Sequence, residues 1–135
     1  MKNKYDNPCY LYENTTRVYS TEIVNVENGI DAICQVNLIS YADSLPINGA
    51  IINLTYSNNE KDTLLSDING SITFKLPENK FTIFVQKPNF QLLEINVAPK
   101  SNQEDHFFKA ILAPECSDYK KPLFRRLNKT ATNSR

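Results

Sequence analysis

The chain has 135 residues, with 15 basic and 15 acidic side chains and a mean hydropathy of -0.43. Its 3 glycines, 7 prolines and 41% hydrophobic residues exclude collagen-like and low-complexity chains, and its length suits one small domain with terminal segments. No stretch is apolar for long enough to be a signal peptide or a membrane span, so we expect a protein made in the cytoplasm.

Residues 1–28 are polar but rich in tyrosine, and they are predicted to form an N-terminal arm. Residues 17–26 alternate loosely between polar and apolar side chains, which predicts either an edge strand or an arm lying along another subunit. Asn28-Gly29 predicts a turn where the domain begins. We expect a partner surface to cover four rings of the arm: Tyr5, Tyr10, Tyr12 and Tyr19.

Residues 29–114 show the period-two alternation of β-strands, in seven short runs separated by turn signals. The runs are 32–41, 50–56, 63–65, 71–76, 81–86, 91–97 and 106–112. Asn69-Gly70 is the clearest turn, because these residue types tolerate the positive φ angles of a tight hairpin. The alternation predicts a core that contains Val36, Leu38, Ile52, Leu54, Ile72, Phe74, Leu76, Ile83 and Val85.

Residues 115–135 carry six basic and two acidic side chains, a net charge of +4, and are predicted to form a basic C-terminal arm. Such an arm favours contact with an acidic surface, with nucleic acid as a less favoured partner, and a solvated chain end is the alternative interpretation. The contact is expected to use Lys120, Lys121, Leu123, Phe124, Arg125 and Arg126.

Four short motifs resemble the carboxypeptidase regulatory-like domain, a family also described as transthyretin-like or prealbumin-like. They are PINGA at 46–50, SDING at 66–70, LPENKF at 76–81 and KPNF at 87–90. The resemblance covers about residues 31–114. It implies an all-β, seven-stranded Greek-key β-sandwich, used mostly as a non-catalytic appendage in secreted, cell-surface and assembly proteins.

Catalytic motifs are missing from the chain. It has a single histidine, His106, which we interpret as a strand residue, and no GxSxG, HExxH or phosphate-loop spacing. Some transthyretin-like relatives hydrolyse a purine-derived ring with several histidines and a C-terminal Tyr-Arg-Gly-Ser signature, and this sequence has neither. The sequence therefore predicts no catalytic residue, no cofactor and a protein that is not an enzyme.

Metal ligands are not predicted either. Asp67 and Asn69 before Gly70 resemble a fragment of a calcium loop, but the remaining ligands are missing and turn chemistry explains these residues better. Three cysteines cannot all pair within one chain and their spacing matches no metal motif, so free thiols are expected. They are Cys9, Cys34 and Cys116.

These observations favour a structural or interaction protein whose arms lock a small β-sandwich into a larger assembly of protein subunits, such as a virion or a surface complex. Asn, Lys and Ile make up 40 of the 135 residues, a bias typical of AT-rich genomes, which suggests a bacterium or bacteriophage. The alternative is a glycan- or ligand-binding accessory module of a cell-surface system. It would use the loops 57–61 and 87–90 at one end of the sandwich.

Overall fold

A computed structural model describes residues 15–115 of the chain, and they form eight β-strands. The strands are β1 (Arg17–Asn25), β2 (Ile33–Ser40), β3 (Ile51–Tyr56), β4 (Lys61–Leu65), β5 (Ser71–Lys75), β6 (Phe81–Gln86), β7 (Leu93–Val97) and β8 (Glu104–Leu112). Within this part of the chain, no helix has the length and apolarity needed to cross a bilayer.

The strands form two four-stranded sheets that pack face to face. One sheet has the order β1-β8-β2-β5 and the other has the order β4-β3-β6-β7. All neighbouring strands are antiparallel except β2 and β8, which run parallel. The predicted all-β sandwich is therefore confirmed, with one strand more than the seven that were predicted.

The additional strand, β1, comes from the stretch for which the sequence left two possibilities open. It pairs with β8 over its whole length, with one irregularity between Val18 and Ser20, so this stretch is an edge strand of the sandwich. Its side chains are nearly all exposed, in contrast to the strict alternation of buried and half-buried residues in β2. Backbone pairing, more than burial, therefore holds β1 in place.

Inward-facing side chains of the two sheets form one apolar core. Among the residues predicted for it, the structure buries Val36, Leu38, Ile52, Leu54, Ile72, Leu76, Ile83 and Val85. Phe74 is half-buried, because β5 is an edge strand that the opposite sheet covers incompletely. Its ring packs edge-on against Phe81, with ring centroids 5.9 Å apart and an interplanar angle of 82°.

Two of the sequence motifs meet at a buried junction. The hydroxyl of Ser66 accepts a hydrogen bond from the Ala50 amide at 2.8 Å and donates one to the Ile47 carbonyl at 2.7 Å. Beside it, the Leu38 amide donates to the Gly70 carbonyl at 2.8 Å, and the Ile47 amide donates to the Leu38 carbonyl at 3.1 Å. The junction thus connects β2 of one sheet with the start of β3 and the end of β4 in the other.

The turn before β5 is held by Asp67. Its carboxylate oxygen Oδ1 accepts hydrogen bonds from the amides of Asn69 and Ser71, both at 2.9 Å, and its carbonyl accepts the Gly70 amide at 2.9 Å. These are the contacts of a tight turn, as the sequence interpretation held. Residues 15–115 contain no group of three His, Cys, Asp or Glu side chains placed to hold a metal ion.

Gly70 is required at the junction for two separate reasons, and Gly29 provides a matched control. Both have positive φ angles, +72° and +87°, but a Cβ at Gly70 would lie 2.4 Å from the Leu38 carbonyl oxygen, whereas one at Gly29 meets nothing within 4 Å. We expect Gly29→Ala to cost about 1–2 kcal/mol of unfolding free energy, and Gly70→Ala at least about 3 kcal/mol, because the steric clash adds to the backbone strain.

Urea denaturation of the two variants beside the parent protein measures this difference. Similar losses in Gly29→Ala and Gly70→Ala would show that the packing of Gly70 against Leu38 contributes nothing to stability.

Candidate functional site

The start of the described chain is fixed to its end by one side chain. The hydroxyl of Thr16 accepts a hydrogen bond from the Ala113 amide at 2.8 Å and donates one to Oε1 of Gln91 at 2.6 Å. Thr16 immediately precedes β1, Ala113 immediately follows β8, and Gln91 leads into β7. One hydroxyl therefore connects three parts of the chain that are far apart in sequence.

Further backbone contacts hold the other end of the described chain at the same place. The Gln91 amide donates to the Ala113 carbonyl at 2.9 Å, the Glu115 amide donates to the Asn89 carbonyl at 2.9 Å, and Phe90 pairs with Pro114 as an isolated bridge. We call the site formed by Thr16, residues 89–91 and residues 113–115 the terminal corner. The segments 1–14 and 116–135 are both attached to the sandwich there.

An exposed strand begins at the terminal corner. β1 has nine residues, and among residues 15–115 only β8 pairs with it, so no other described strand covers its outer edge. Three large side chains of β1 are exposed, Tyr19 at 47%, Ile23 at 52% and Val24 at 41% of their surface. A long, open edge with exposed apolar side chains is a template for pairing with another strand.

The structure describes one of the ten side chains predicted to bind a partner. Tyr19 lies in the irregular part of β1 and is exposed. The other nine lie outside the described residues, so their roles remain predictions: Tyr5, Tyr10, Tyr12, Lys120, Lys121, Leu123, Phe124, Arg125 and Arg126. Sequence reasoning missed Thr16, whose importance depends on partners 75 and 97 residues away.

The two loops of the glycan-binding alternative do not lie together, so that part of the prediction is wrong. Tyr56 is paired with Phe81 and Ile51 with Gln86, which places the loop 57–61 at one end of the sheet and the loop 87–90 at the other. Each loop follows the C-terminal end of its own strand, and β3 and β6 are antiparallel. Residues 87–90 instead lead into the terminal corner, where the half-buried Phe90 packs against the core.

The C-terminal end of β3 borders a cavity of about 460 Å³. Tyr56, Lys80 and Asn96 are among the residues in its wall. The Tyr56 hydroxyl donates a hydrogen bond to the Asp62 carboxylate at 2.7 Å. Burial, followed by the hydrogen bond and the negative charge of Asp62, raises the pKa of Tyr56 to about 12. This phenol therefore stays protonated at neutral pH and is engaged within its own hairpin.

Cys34 and His106 are buried neighbours on β2 and β8, paired in the parallel ladder. Burial raises the pKa of the Cys34 thiol to about 12, which leaves almost no nucleophilic thiolate at neutral pH. The Nε2 atom of His106 has no hydrogen-bond partner among the described residues. Both side chains face the core and are closed off from solvent, so neither offers an accessible reactive group.

Comparisons with known proteins find structural similarity only. No protein-family model matches the chain, and no characterised protein matches its sequence. Among solved structures, 5-hydroxyisourate hydrolase from Klebsiella pneumoniae is similar, with 17% identity over 62% of this chain and 85% of that one and a TM-score of 0.48. The β-sandwich itself is established by the two packed sheets of the chain, and the similarity is compatible with the transthyretin-like fold that the sequence motifs predicted.

Two pilus proteins are also similar in structure. The major pilin subunit BcpA of Bacillus cereus is 19% identical over 64% of this chain and 30% of its own, with a TM-score of 0.45. A C-terminal fragment of the pilus adhesin SpaC from Lactobacillus rhamnosus GG is 13% identical over 76% of this chain and 59% of its own, with a TM-score of 0.48. The match thus spans less than two thirds of either pilus structure.

The prediction that this protein is not an enzyme is not upheld, because the structures similar to the chain include the 5-hydroxyisourate hydrolase and two dioxygenases. The lack of a familiar catalytic motif does not exclude an enzyme either.

The burial of Cys34 predicts slow alkylation in the folded protein. With its pKa raised to about 12, the Cys34 thiol should react with iodoacetamide at pH 8 at least about a hundredfold more slowly than in the denatured chain. Timed alkylation of the reduced protein, followed by peptide mass spectrometry, measures the alkylation rate of each cysteine separately. Equal rates in the folded and denatured protein would contradict the placement of this side chain in the core.

Proposed function

We propose that this protein is a component of a multi-subunit assembly, such as a virion or a surface complex, and that it binds its neighbours at the terminal corner. The observation that supports this best is the attachment of both terminal segments at one place, through Thr16 and the residues around it. The open edge of β1 begins at the same place. One side of the sandwich therefore combines three features suited to contact with other chains.

Attachment at a common corner gives the two segments a shared target. Once one segment binds a surface, the other is held within a short distance of it, which raises its effective concentration and the overall affinity. Segments that left from opposite ends of the sandwich would gain much less. We therefore propose that the N-terminal tyrosines and the basic C-terminal segment bind adjacent surfaces of one assembly.

The composition of the C-terminal segment indicates the chemistry of its partner. Its net positive charge would bind an acidic surface, and the contact would weaken as salt rises, because the screening length is about 8 Å at physiological ionic strength. Leu123 and Phe124 lie among the basic residues and would add an apolar anchor. Salt alone should therefore weaken the contact without abolishing it.

Neutralising the basic cluster provides the test. We expect the substitution of Lys120, Lys121, Arg125 and Arg126 by glutamine to move the tagged chain, expressed in its native host, from a high-mass sedimenting fraction to the position of a free subunit. The melting temperature should change by less than about 2 °C, since the eight strands of the sandwich are formed by residues 15–115 and contain none of these four residues. A chain that ends at Pro114 should behave in the same way.

The matched control removes four exposed positive charges from the sandwich itself: Lys61, Lys80, Lys100 and Lys109. It changes the net charge by the same amount and should leave the chain in the high-mass fraction. If the chain ending at Pro114 enters that fraction as well as the full chain does, the terminal segment plays no part in assembly and the proposal is wrong on this point.

A further inference from the structure

Large apolar side chains that stay exposed are concentrated at one end of the sandwich. Outside β1, the described residues include six such side chains. One of the six, Ile30, lies at the end where β2 begins. The other five lie at the end that carries the terminal corner and are between 44% and 75% exposed: Tyr41, Leu45, Leu65, Ile68 and Leu92. We call these five side chains the apolar end.

The apolar end borders the terminal corner. The Tyr41 amide donates a hydrogen bond to the Leu112 carbonyl at 2.9 Å. The next residue of the chain, Ala113, bonds the Thr16 hydroxyl through its amide. Leu92 directly follows the other hydrogen-bond partner of Thr16. The segment 1–14, which joins the sandwich beside Thr16, is therefore attached at the border of the apolar end.

Charge does not distinguish the two ends of the sandwich, but apolar exposure does. At the apolar end, the loops 41–50, 66–70, 87–92 and 113–115 contain three acidic and one basic side chain. The loops of the other end, 26–32, 57–60, 76–80 and 98–103, contain four acidic and two basic side chains. Both sets have a net charge of −2. An exposed apolar patch of this kind is typical of a surface that another chain segment covers.

We propose that the tyrosine-rich N-terminal segment of the same chain covers the apolar end in the free subunit. The segment 1–14 has two basic and two acidic side chains, and its tyrosines are Tyr5, Tyr10 and Tyr12. Tyrosine suits this surface, because the ring packs against apolar side chains while the hydroxyl stays in contact with water or a hydrogen-bond acceptor.

The distribution of charge favours this segment over the C-terminal one. Residues 8–12, with the sequence PCYLY, contain no charged side chain. Leu123 and Phe124 of the C-terminal segment are instead flanked by Lys121 and Arg125. Packing the uncharged run against apolar side chains buries no charge, and burying a charge without a partner is costly.

The tether is long enough to cover the apolar end and short enough to favour contact. Tyr12 is four residues before Thr16, which allows about 13 Å of extended chain, and Tyr5 is eleven residues before it, which allows about 36 Å. A sheet of four strands is about 14 Å wide. Attachment beside the surface raises the local concentration of the segment to about the millimolar range, so weak contacts are sufficient.

This inference deepens the proposed function, because it places the tyrosines in the subunit before a partner is present. Their transfer to a neighbouring surface during assembly rests on the proposed function, whereas the docking does not. The experiments below use the isolated chain and leave the basic segment unchanged. Docking and assembly can therefore fail separately.

Disulfide trapping in the full-length protein measures the contact, because Cys9 lies within the uncharged run. Cys116 is replaced by serine to remove a competing thiol. One new thiol is then introduced, either by Leu45→Cys at the apolar end or by Lys109→Cys on β8. Both positions are exposed.

Cys9 can reach both positions, which makes Lys109→Cys a matched control. Leu45 bonds through its carbonyl to the last residue of β2, two strands or about 10 Å from β1. Lys109 pairs with Ser20, four residues or about 13 Å along β1 from Thr16. Cys9 is seven residues before Thr16, which allows about 23 Å of extended chain.

We expect the disulfide in Leu45→Cys to form at least about tenfold faster than the one in Lys109→Cys, because docking holds Cys9 at the apolar end. Each rate is corrected for the reaction of the new thiol with a small disulfide. The rate should not depend on protein concentration, and the product should have the mass of a single chain.

Chymotrypsin cleavage after Tyr10 and Tyr12 gives a second, independent measurement. Replacing both Leu45 and Ile68 by serine should speed this cleavage at least about fivefold, because a segment released from the surface is open to the protease more of the time. Ile30→Ser removes a comparably exposed side chain from the other end and should leave the cleavage rate unchanged. All three side chains are exposed, so the sandwich should keep its melting temperature.

Three outcomes would overturn the inference. Equal disulfide rates in Leu45→Cys and Lys109→Cys would show that the segment is tethered but not docked. Disulfide-linked dimers whose yield rises with protein concentration would show that the segment of a second copy covers the apolar end. Cleavage at the parent rate after the loss of Leu45 and Ile68 would show that these side chains hold nothing. The role of the basic segment in assembly is decided by its own test in each case.

Discussion

The buried hydroxyl of Ser66 is the contact on which the rest of the sandwich depends. It satisfies a backbone amide and a backbone carbonyl that have no access to water, and unsatisfied groups of this kind cost about 1–3 kcal/mol each. Gly70 lies beside it, close enough to the Leu38 carbonyl that no other residue type fits. Together they fix the chain where it passes between the sheets. The positions of β2, β3 and β5 follow from that junction.

A second junction, at the same end of the sandwich and beyond the C-terminal end of β8, determines what the sandwich presents to other molecules. Thr16 holds the start of β1 against residues 91 and 113, so both terminal segments are attached beside an open strand. β1 contributes little to the core, since its side chains are mostly exposed. A strand held by backbone hydrogen bonds but not needed for the core is free to be used for contacts with other chains. The proposed assembly surface therefore lies on a strand whose side chains contribute little to the core.

Sequence reasoning located parts of this surface but not its arrangement. Tyr19 was predicted to be covered by a partner, and within the described residues its side chain is 47% exposed. The stretch around it was predicted, from local pattern alone, to be either an edge strand or an arm along another subunit. The meeting of Thr16 with Gln91 and Ala113 had no signal, because those contacts join residues at least 75 positions apart. The loops 57–61 and 87–90 were placed at one end of the sandwich mainly by analogy with the family that the motifs resemble. The antiparallel pairing of β3 and β6 separates them. The exclusion of enzymatic activity was also too strong, because the absence of a familiar motif does not exclude catalysis and the similar structures include a hydrolase.

The amino-acid sequence by itself determined the strands, their inward faces and the turns between them. The alternation of side chains along a strand and the turn conformation of Asn69 and Gly70 depend on residues only a few positions apart. They are therefore visible as short patterns in the sequence. Only the tertiary structure decided that β8 runs parallel to β2, that β1 covers the outer edge of β8, and that the two ends of the described residues, 15–115, meet at one corner. Those features arise because backbone groups pair across the sheet with whichever strand is adjacent. Such pairing is indifferent to side-chain identity, so the sequence carries little record of it.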